Sequence, residues 1–309
     1  MTRAALVLNE RAGTLQGRPD LPDLIEDELR AAGFDLTVIR ENAVAHGAAN
    51  IPGRIEAAIA TGAPVVIVGG GDGTIRGVGA QLAGTGRTLG ILPLGTLNLL
   101  ARDLRIPLEP LEAARAIGRA TTQSMDVGSV NGEAFLCQSV VGVPNAVSRV
   151  RERHRREKTW RSFLRVIFGI FRALHRRRPY RLTVTAPGWR RPWRLWTRAL
   201  SVVNNAYDEA PGAMFRRPVL DGGVLTLHVS RSFSMIWSLK MLLRMALGAW
   251  KRDSDVAILG EPAFTIRSRR HSLRVMNDGE ACVLTTPLRY EVRPRALQVL
   301  VPRPEDAAA

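Results

Sequence analysis

Residues 64 to 82, PVVIVGGGDGTIRGVGAQL, constrain the chain more than any other stretch. A β-branched run enters three consecutive glycines and then a helix bearing Ile75, Val78 and Leu82. A strand, a glycine turn and a helix in that order form the repeating unit of a parallel α/β sheet. A glycine loop at such a junction lets the backbone approach a phosphate chain, with exposed N–H groups and the positive helix terminus aimed at it. The candidate cradle is Gly70, Gly71, Asp72, Gly73 and Thr74. It is not a Walker loop, since no Gly-Lys-Ser/Thr follows, and Arg76 breaks the G-x-G-x-x-G spacing. Asp72 is the unusual member: beside phosphates a carboxylate either works through Mg²⁺ or caps the helix.

The same grammar recurs at residues 89 to 104, LGILPLGTLNLLARDL, where Thr96 and Asn98 supply capping and hydrogen-bonding groups beside the first loop. Around these loops strand and helix signals alternate. Residues 4 to 8, 34 to 39, 65 to 68 and 89 to 92 read as strands, and residues 21 to 32 and 51 to 60 as helices. That order predicts a parallel, doubly wound sheet.

After about residue 126 the texture becomes β-rich, with runs at 134 to 141, 181 to 185, 199 to 203, 225 to 229, 263 to 268 and 288 to 292 between Gly, Pro and Asn-Asp-Gly signals. The expected division is 1–125, an α/β domain; 126–295, an antiparallel second domain; and 296–309, a tail that could return to the first. Cys137 and Cys282 are lone and far apart, read as small buried hydrophobes. No apolar run reaches the ~18 residues of a membrane span. The N-terminus does not read as a signal segment, so the expected location is cytoplasmic.

The 44 Lys+Arg exceed the 28 Asp+Glu to give a net charge of +16. The surplus is local: residues 1 to 150 hold 13 basic and 15 acidic groups, 151 to 200 hold 16 and 2, and 201 to 309 hold 15 and 11. Two helical candidates fall here. In 160 to 176, Arg161, Arg165, Arg172 and Arg176 line one side opposite Phe163, Ile167 and Phe171; in 233 to 251, Lys240, Arg244 and Lys251 align. Basic, aromatic-bearing helices suit an anionic membrane interface, while the bland alternative packs their apolar faces on their own domain. A near-neutral body with one basic patch favours a membrane over nucleic acid as partner.

Taken together, GGGDGT, LPLGTLNLLARDL and the late Asn277-Asp278-Gly279-Glu280 resemble the diacylglycerol kinase catalytic domain family, which includes bacterial soluble lipid kinases and the sphingosine and ceramide kinases. The resemblance implies a phosphofructokinase-like first domain, a β-sandwich second domain, ATP and Mg²⁺ as cofactors, and phosphorylation of a lipid hydroxyl, most simply diacylglycerol. Asn9 to Gly13 is similar to the family's first phosphate loop, with Glu10 where relatives carry proline. By the same resemblance Asp72 and Asp126 organise Mg²⁺, Thr96 belongs to the second nucleotide loop, and Leu99 stands where some members have a further acid. Asp221, followed by Gly222 and Gly223, lies near a structural metal position, either in a shifted register or with that site lost.

Glu280 is the implied proton acceptor, with Asp278 positioning it or substituting for it. On residues alone Asn277-Asp278-Gly279 reads as a hairpin turn. The alternatives are an NAD kinase, which shares the GGDGT loop, and a non-enzymatic module binding anionic membrane or nucleic acid. The favoured expectation is a lipid kinase peripherally bound to the inner face of the membrane, with a homodimer left open.

Overall fold

The structure is a computed structural model that describes residues 1–40, 50–142, 179–208, 210, 216–230, 240, 243–244 and 256–307. The basic helix expected at 160–176 lies outside the described residues. Of 233–251 only Lys240, Leu243 and Arg244 are described.

The chain divides into two compact units, Met1–Val127 with Arg293–Ala309, and Gly128–Val292. The first contains β1 (Thr2–Leu8), α1 (Leu21–Ala31), β2 (Phe34–Val38), α2 (Ile51–Ala60), β3 (Val65–Gly70), α3 (Asp72–Leu82), β4 (Thr88–Pro93), α4 (Leu99–Asp103) and α5 (Pro110–Gly118). It also takes most of β5 (Thr121–Val130) and the end of β16 (Leu288–Val301). Its strands run β2-β1-β3-β4-β16, each neighbouring pair parallel.

The reason for this sheet is visible strand by strand. β3 is buried along its whole length and β1 from Ala4 onward, so both are continuous apolar runs with both faces covered. α1 packs against α5 and α2 against α3, giving the sheet its two helical layers. α1 buries Leu21, Ile25 and Leu29 at helical spacing. α2 starts where the Asn50 side chain accepts the Gly53 N–H. The strand order reverses at β1, so the crevice such a sheet offers to a ligand lies beyond the carboxyl ends of β1 and β3.

The second unit is a sandwich. One sheet runs β12 (Val256–Glu261), β11 (Leu225–Ser230), β10 (Leu200–Asn204), β7 (Gln138–Val141), β14 (Ser272–Asn277) and β15 (Glu280–Thr285), antiparallel throughout. The other joins the start of β16 to β13 (Ala263–Ser268), β8 (Tyr180–Thr185) and β9 (Trp193–Thr197). β6 (Glu133–Phe135) pairs with β5. Val141, Val202, Leu227 and Val275 of the first sheet meet Leu182, Phe264, Ile266 and Tyr290 of the second in one buried cluster.

Two expectations need correction. The run at 134 to 141 is not one strand: it breaks between β6 and β7, because the Leu136 and Cys137 N–H groups donate to the Asp278 carboxylate instead of to a ladder. The strand expected at 288 to 292 continues to Val301 as β16, turning at Arg295, whose φ is +50°.

Candidate functional site

In the first unit three loops leave the carboxyl ends of β1, β3 and β4. The Asn9 N–H donates to Gly69 O, and its side-chain amide donates to Thr74 Oγ1 at 3.1 Å, tying the first loop to the second. Asn9 Oδ1 also accepts the Arg11 N–H, which folds the loop back on itself, and Gly13 is exposed at its far side. Thr14 Oγ1 donates to Leu94 O, bracing the first loop against the third. Glu10 pairs at 3.7 Å with Arg54, a buried guanidinium that also donates to Leu8 O. The sequence reading missed Arg54; its signal was the single cation inside the apolar helix IPGRIEAAIA.

Asp72 makes contacts across to the neighbouring loop. Its Oδ1 accepts the Leu99 N–H at 2.7 Å and its Oδ2 the Asn98 N–H at 3.1 Å, so it caps α4 from the neighbouring loop. Asn98, expected to cap, stands at the cap position with φ +50° and makes no side-chain cap bond. Its amide instead closes a ring with Gly95, accepting that residue's N–H and donating to its carbonyl. Thr96 projects exposed from this turn.

The two glycine loops touch through backbone. A Cβ built on Gly95 would stand 2.5 Å from the Gly71 Cα and 2.8 Å from Asn98 Oδ1. Gly95→Ala is therefore expected to push the loops apart and destabilise the first unit by about 1–3 kcal/mol, which thermal unfolding would measure. The Gly71 cap makes no side-chain hydrogen bond to the first turn of α3. That turn, framed by Asn9, Thr74 and Thr96, is a surface on which an anion meets N–H donors and the helix dipole.

Asp126 is fully buried on β5, and its Oδ1 accepts the Arg295 N–H at 2.8 Å, holding β16 at its turn. Asp221 is half-buried on the loop before β11. Among the described residues no group of three or more His, Cys, Asp or Glu side chains could hold a metal.

In the second unit β14 and β15 form a hairpin whose turn residues, Asp278 at φ +47° and Gly279 at φ +92°, both take the left-handed conformation that a two-residue hairpin turn requires. Asp278 is buried, and its carboxylate accepts the N–H groups of Leu136, Cys137 and Gln138 at 2.6 to 2.9 Å. Burial pushes this carboxyl above the usual aspartate range, against the three N–H bonds and the Arg217 charge, which pull it down. Of the two roles considered for Asp278, positioning fits these contacts. Glu280 is exposed and stands opposite Asn277 in the register.

Further unforeseen residues lie behind this hairpin. The buried Arg217 guanidinium donates to Leu136 O and Asn204 O, fixing the segment that Asp278 grips. Asn277 is fully buried, and among the described residues neither end of its amide finds a hydrogen-bond partner. Such a group costs about 1–3 kcal/mol, which sandwich packing must offset.

Residues 3–130 match the diacylglycerol kinase catalytic domain, and residues 139–301 match the YegS C-terminal NAD kinase beta sandwich-like domain. A protein of Pseudomonas savastanoi pv. phaseolicola named "Probable lipid kinase YegS-like" is 29% identical over 304 residues, covering 97% of this chain and 93% of that protein. A protein of the same name from Pseudomonas aeruginosa (strain UCBPP-PA14) is 46% identical over 96 residues, which is 30% of this chain and 32% of its own length. The crystal structure of a diacylglycerol kinase from Bacillus anthracis str. Sterne shares the fold with a TM-score of 0.69 at 21% identity, covering 99% of this chain and 98% of that one. Glycine loops after two neighbouring strands of a doubly wound sheet, an antiparallel sandwich with an Asn-Asp-Gly-Glu hairpin, and the two domain matches thus place this chain in the family that joins a diacylglycerol kinase catalytic domain to a YegS-type C-terminal domain.

Proposed function

We propose that this protein is an ATP- and Mg²⁺-dependent lipid kinase, transferring the γ-phosphoryl group to a lipid hydroxyl, with diacylglycerol as the leading acceptor. The observation that carries the reading is the first turn of α3, whose glycine cap makes no side-chain bond, at the switch point of the sheet and in backbone contact with the glycine loop after β4. In this reading the backbone of Gly70 to Thr74 receives the phosphates, Thr96 hydrogen-bonds them from the second loop, and Asn9 and Gly13 close the first loop over them. Asn98 shapes the second loop without reaching the nucleotide.

The donor set fits a metal that arrives with its nucleotide. Mg²⁺ usually takes one or two carboxylates, with phosphates and waters completing its shell. Asp72, whose carboxylate accepts the Asn98 and Leu99 N–H groups, is the acid of the glycine loop that would meet the ion. Asp126, being buried, contributes through a water at most. Asp221 is left out of this arrangement. When bound, the ion neutralises charge on the transferring phosphoryl group.

Glu280, exposed at the end of a hairpin that Asp278 anchors, takes the proton from the acceptor hydroxyl. Among the described residues no helix is long and apolar enough to cross a membrane, and the enzyme is proposed to reach its lipid peripherally, from the cytoplasmic face.

The test is incubation with labelled ATP, Mg²⁺ and, in separate reactions, diacylglycerol, a sphingoid base, ceramide, phosphatidylglycerol and NAD. A labelled phospholipid is the expected product. Label in NAD alone would reassign the acceptor, and no labelled product with any acceptor would remove the kinase reading.

A further inference from the structure

In the second unit, the sheet of β13, β8 and β9 alternates strictly. Leu182, Val184, Leu195 and Ile266 point into the sandwich, while Arg181, Thr183, Arg194, Trp196 and Arg267 point away from it. The register sets the outward residues side by side: Arg267 and Arg194 flank Thr183, and Arg181 stands opposite Trp196. The Arg181 guanidinium lies 4.1 Å from the centre of the Trp196 ring, and Trp196 is 59% exposed. Arg269 lines the same shallow depression.

Among the described residues, none of Arg181, Arg194, Arg267 and Arg269 pairs with a carboxylate. The register sets Arg181 diagonal to both Arg267 and Arg194, so the face concentrates positive charge that attracts an external anion. Its arginines are exposed and build no enclosed pocket, which argues against a dedicated site for one small anion. An indole held at a basic surface by a guanidinium is suited to the headgroup level of a bilayer, where tryptophan concentrates and arginine reaches phosphates.

We infer that the outward face of β13, β8 and β9 is a docking surface for an anionic phospholipid bilayer, with Arg181, Arg194, Arg267 and Arg269 engaging headgroup phosphates and Trp196 entering the interface. The choice of a bilayer over nucleic acid rests on the lipid-kinase reading; the charge complementarity does not. This face carries part of the basic surplus, on residues other than those at 160–176 and 233–251.

The experiment is co-sedimentation of the full chain, without ATP, with phosphatidylcholine vesicles that contain or lack phosphatidylglycerol. Wild-type protein is expected to sediment with the anionic vesicles. The R194E/R267E pair is expected to lose at least about tenfold in apparent affinity for them, and Trp196→Ala to weaken binding several-fold. Both variants should keep the wild-type thermal midpoint and the wild-type rate on a short-chain soluble acceptor. If charge reversal perturbs folding, R194Q/R267Q is read instead.

Undiminished vesicle binding by folded variants would overturn the inference. So would wild-type binding to duplex DNA or RNA in preference to the vesicles, with that binding being what the variants lose. Because sedimentation needs no turnover, a protein that binds vesicles but phosphorylates no lipid would sink the kinase reading and leave the docking surface standing.

Discussion

Glu280→Gln is expected to lower kcat/KM for lipid phosphorylation by at least about a hundredfold, since general-base catalysis contributes roughly 10²–10⁴ in rate. The thermal midpoint should stay where it is. The side chain is exposed at the end of a hairpin, and such substitutions usually move stability by no more than about 0.5 kcal/mol. The amide keeps the size and the capacity to accept a hydrogen bond but cannot take the proton. Activity retained at the wild-type level, measured with the acceptor that the labelling panel identifies, would remove Glu280 from the chemistry.

Two residues earlier the expectation reverses. In Asp278→Asn the Oδ1 position can still accept the Cys137 and Gln138 N–H groups, but an amide NH₂ now faces the Leu136 N–H, which sits 2.6 Å from Oδ2. A buried donor then opposes a buried donor, and each unsatisfied group costs about 1–3 kcal/mol. The sum is a loss of about 2–5 kcal/mol, read as a fall of roughly 5–15 °C in the midpoint of the second unit. Activity should decline with it as the hairpin loosens, and should recover at low temperature, where the fold is intact. A variant as stable as wild type would mean that the segment at 136–138 holds its turn without the carboxylate. The two neighbouring acids of one hairpin thus separate chemistry from architecture in a pair of measurements.

The parallel sheet was legible in the sequence because its strands are buried on both faces and announce themselves as apolar runs, β3 running straight into the glycine loop. The hairpin at Asn277 to Glu280 was legible as well, since few residue pairs other than Asp-Gly accept two consecutive left-handed conformations. The bonds that organise the site were not. Asp72 grips N–H groups 26 and 27 residues onward, and Asp278 grips N–H groups about 140 residues back. Nothing local to Asp72 distinguishes a carboxylate that caps its own helix from one that caps another. The break at Leu136 and Cys137 was hidden for the same reason: locally the run favours a strand, and only a distant carboxylate claims its donors. Arg54 and Arg217 read as surface cations until the fold buries them, because a single arginine in a string gives no measure of what will surround it.

The last strand has a consequence for synthesis. β16 pairs with β4 at Gln298 and Val299, and residues 293–309 belong to the unit that begins at Met1. During vectorial translation the ribosome therefore releases β1 to β4 early, with the edge of β4 unpaired while all of residues 128–292 are still being made. An unpaired parallel edge is a template for wrong partners. A chain stalled or truncated before residue 293 should carry an intact sandwich beside an incomplete sheet, and should depend on chaperone capture in a way the finished chain does not.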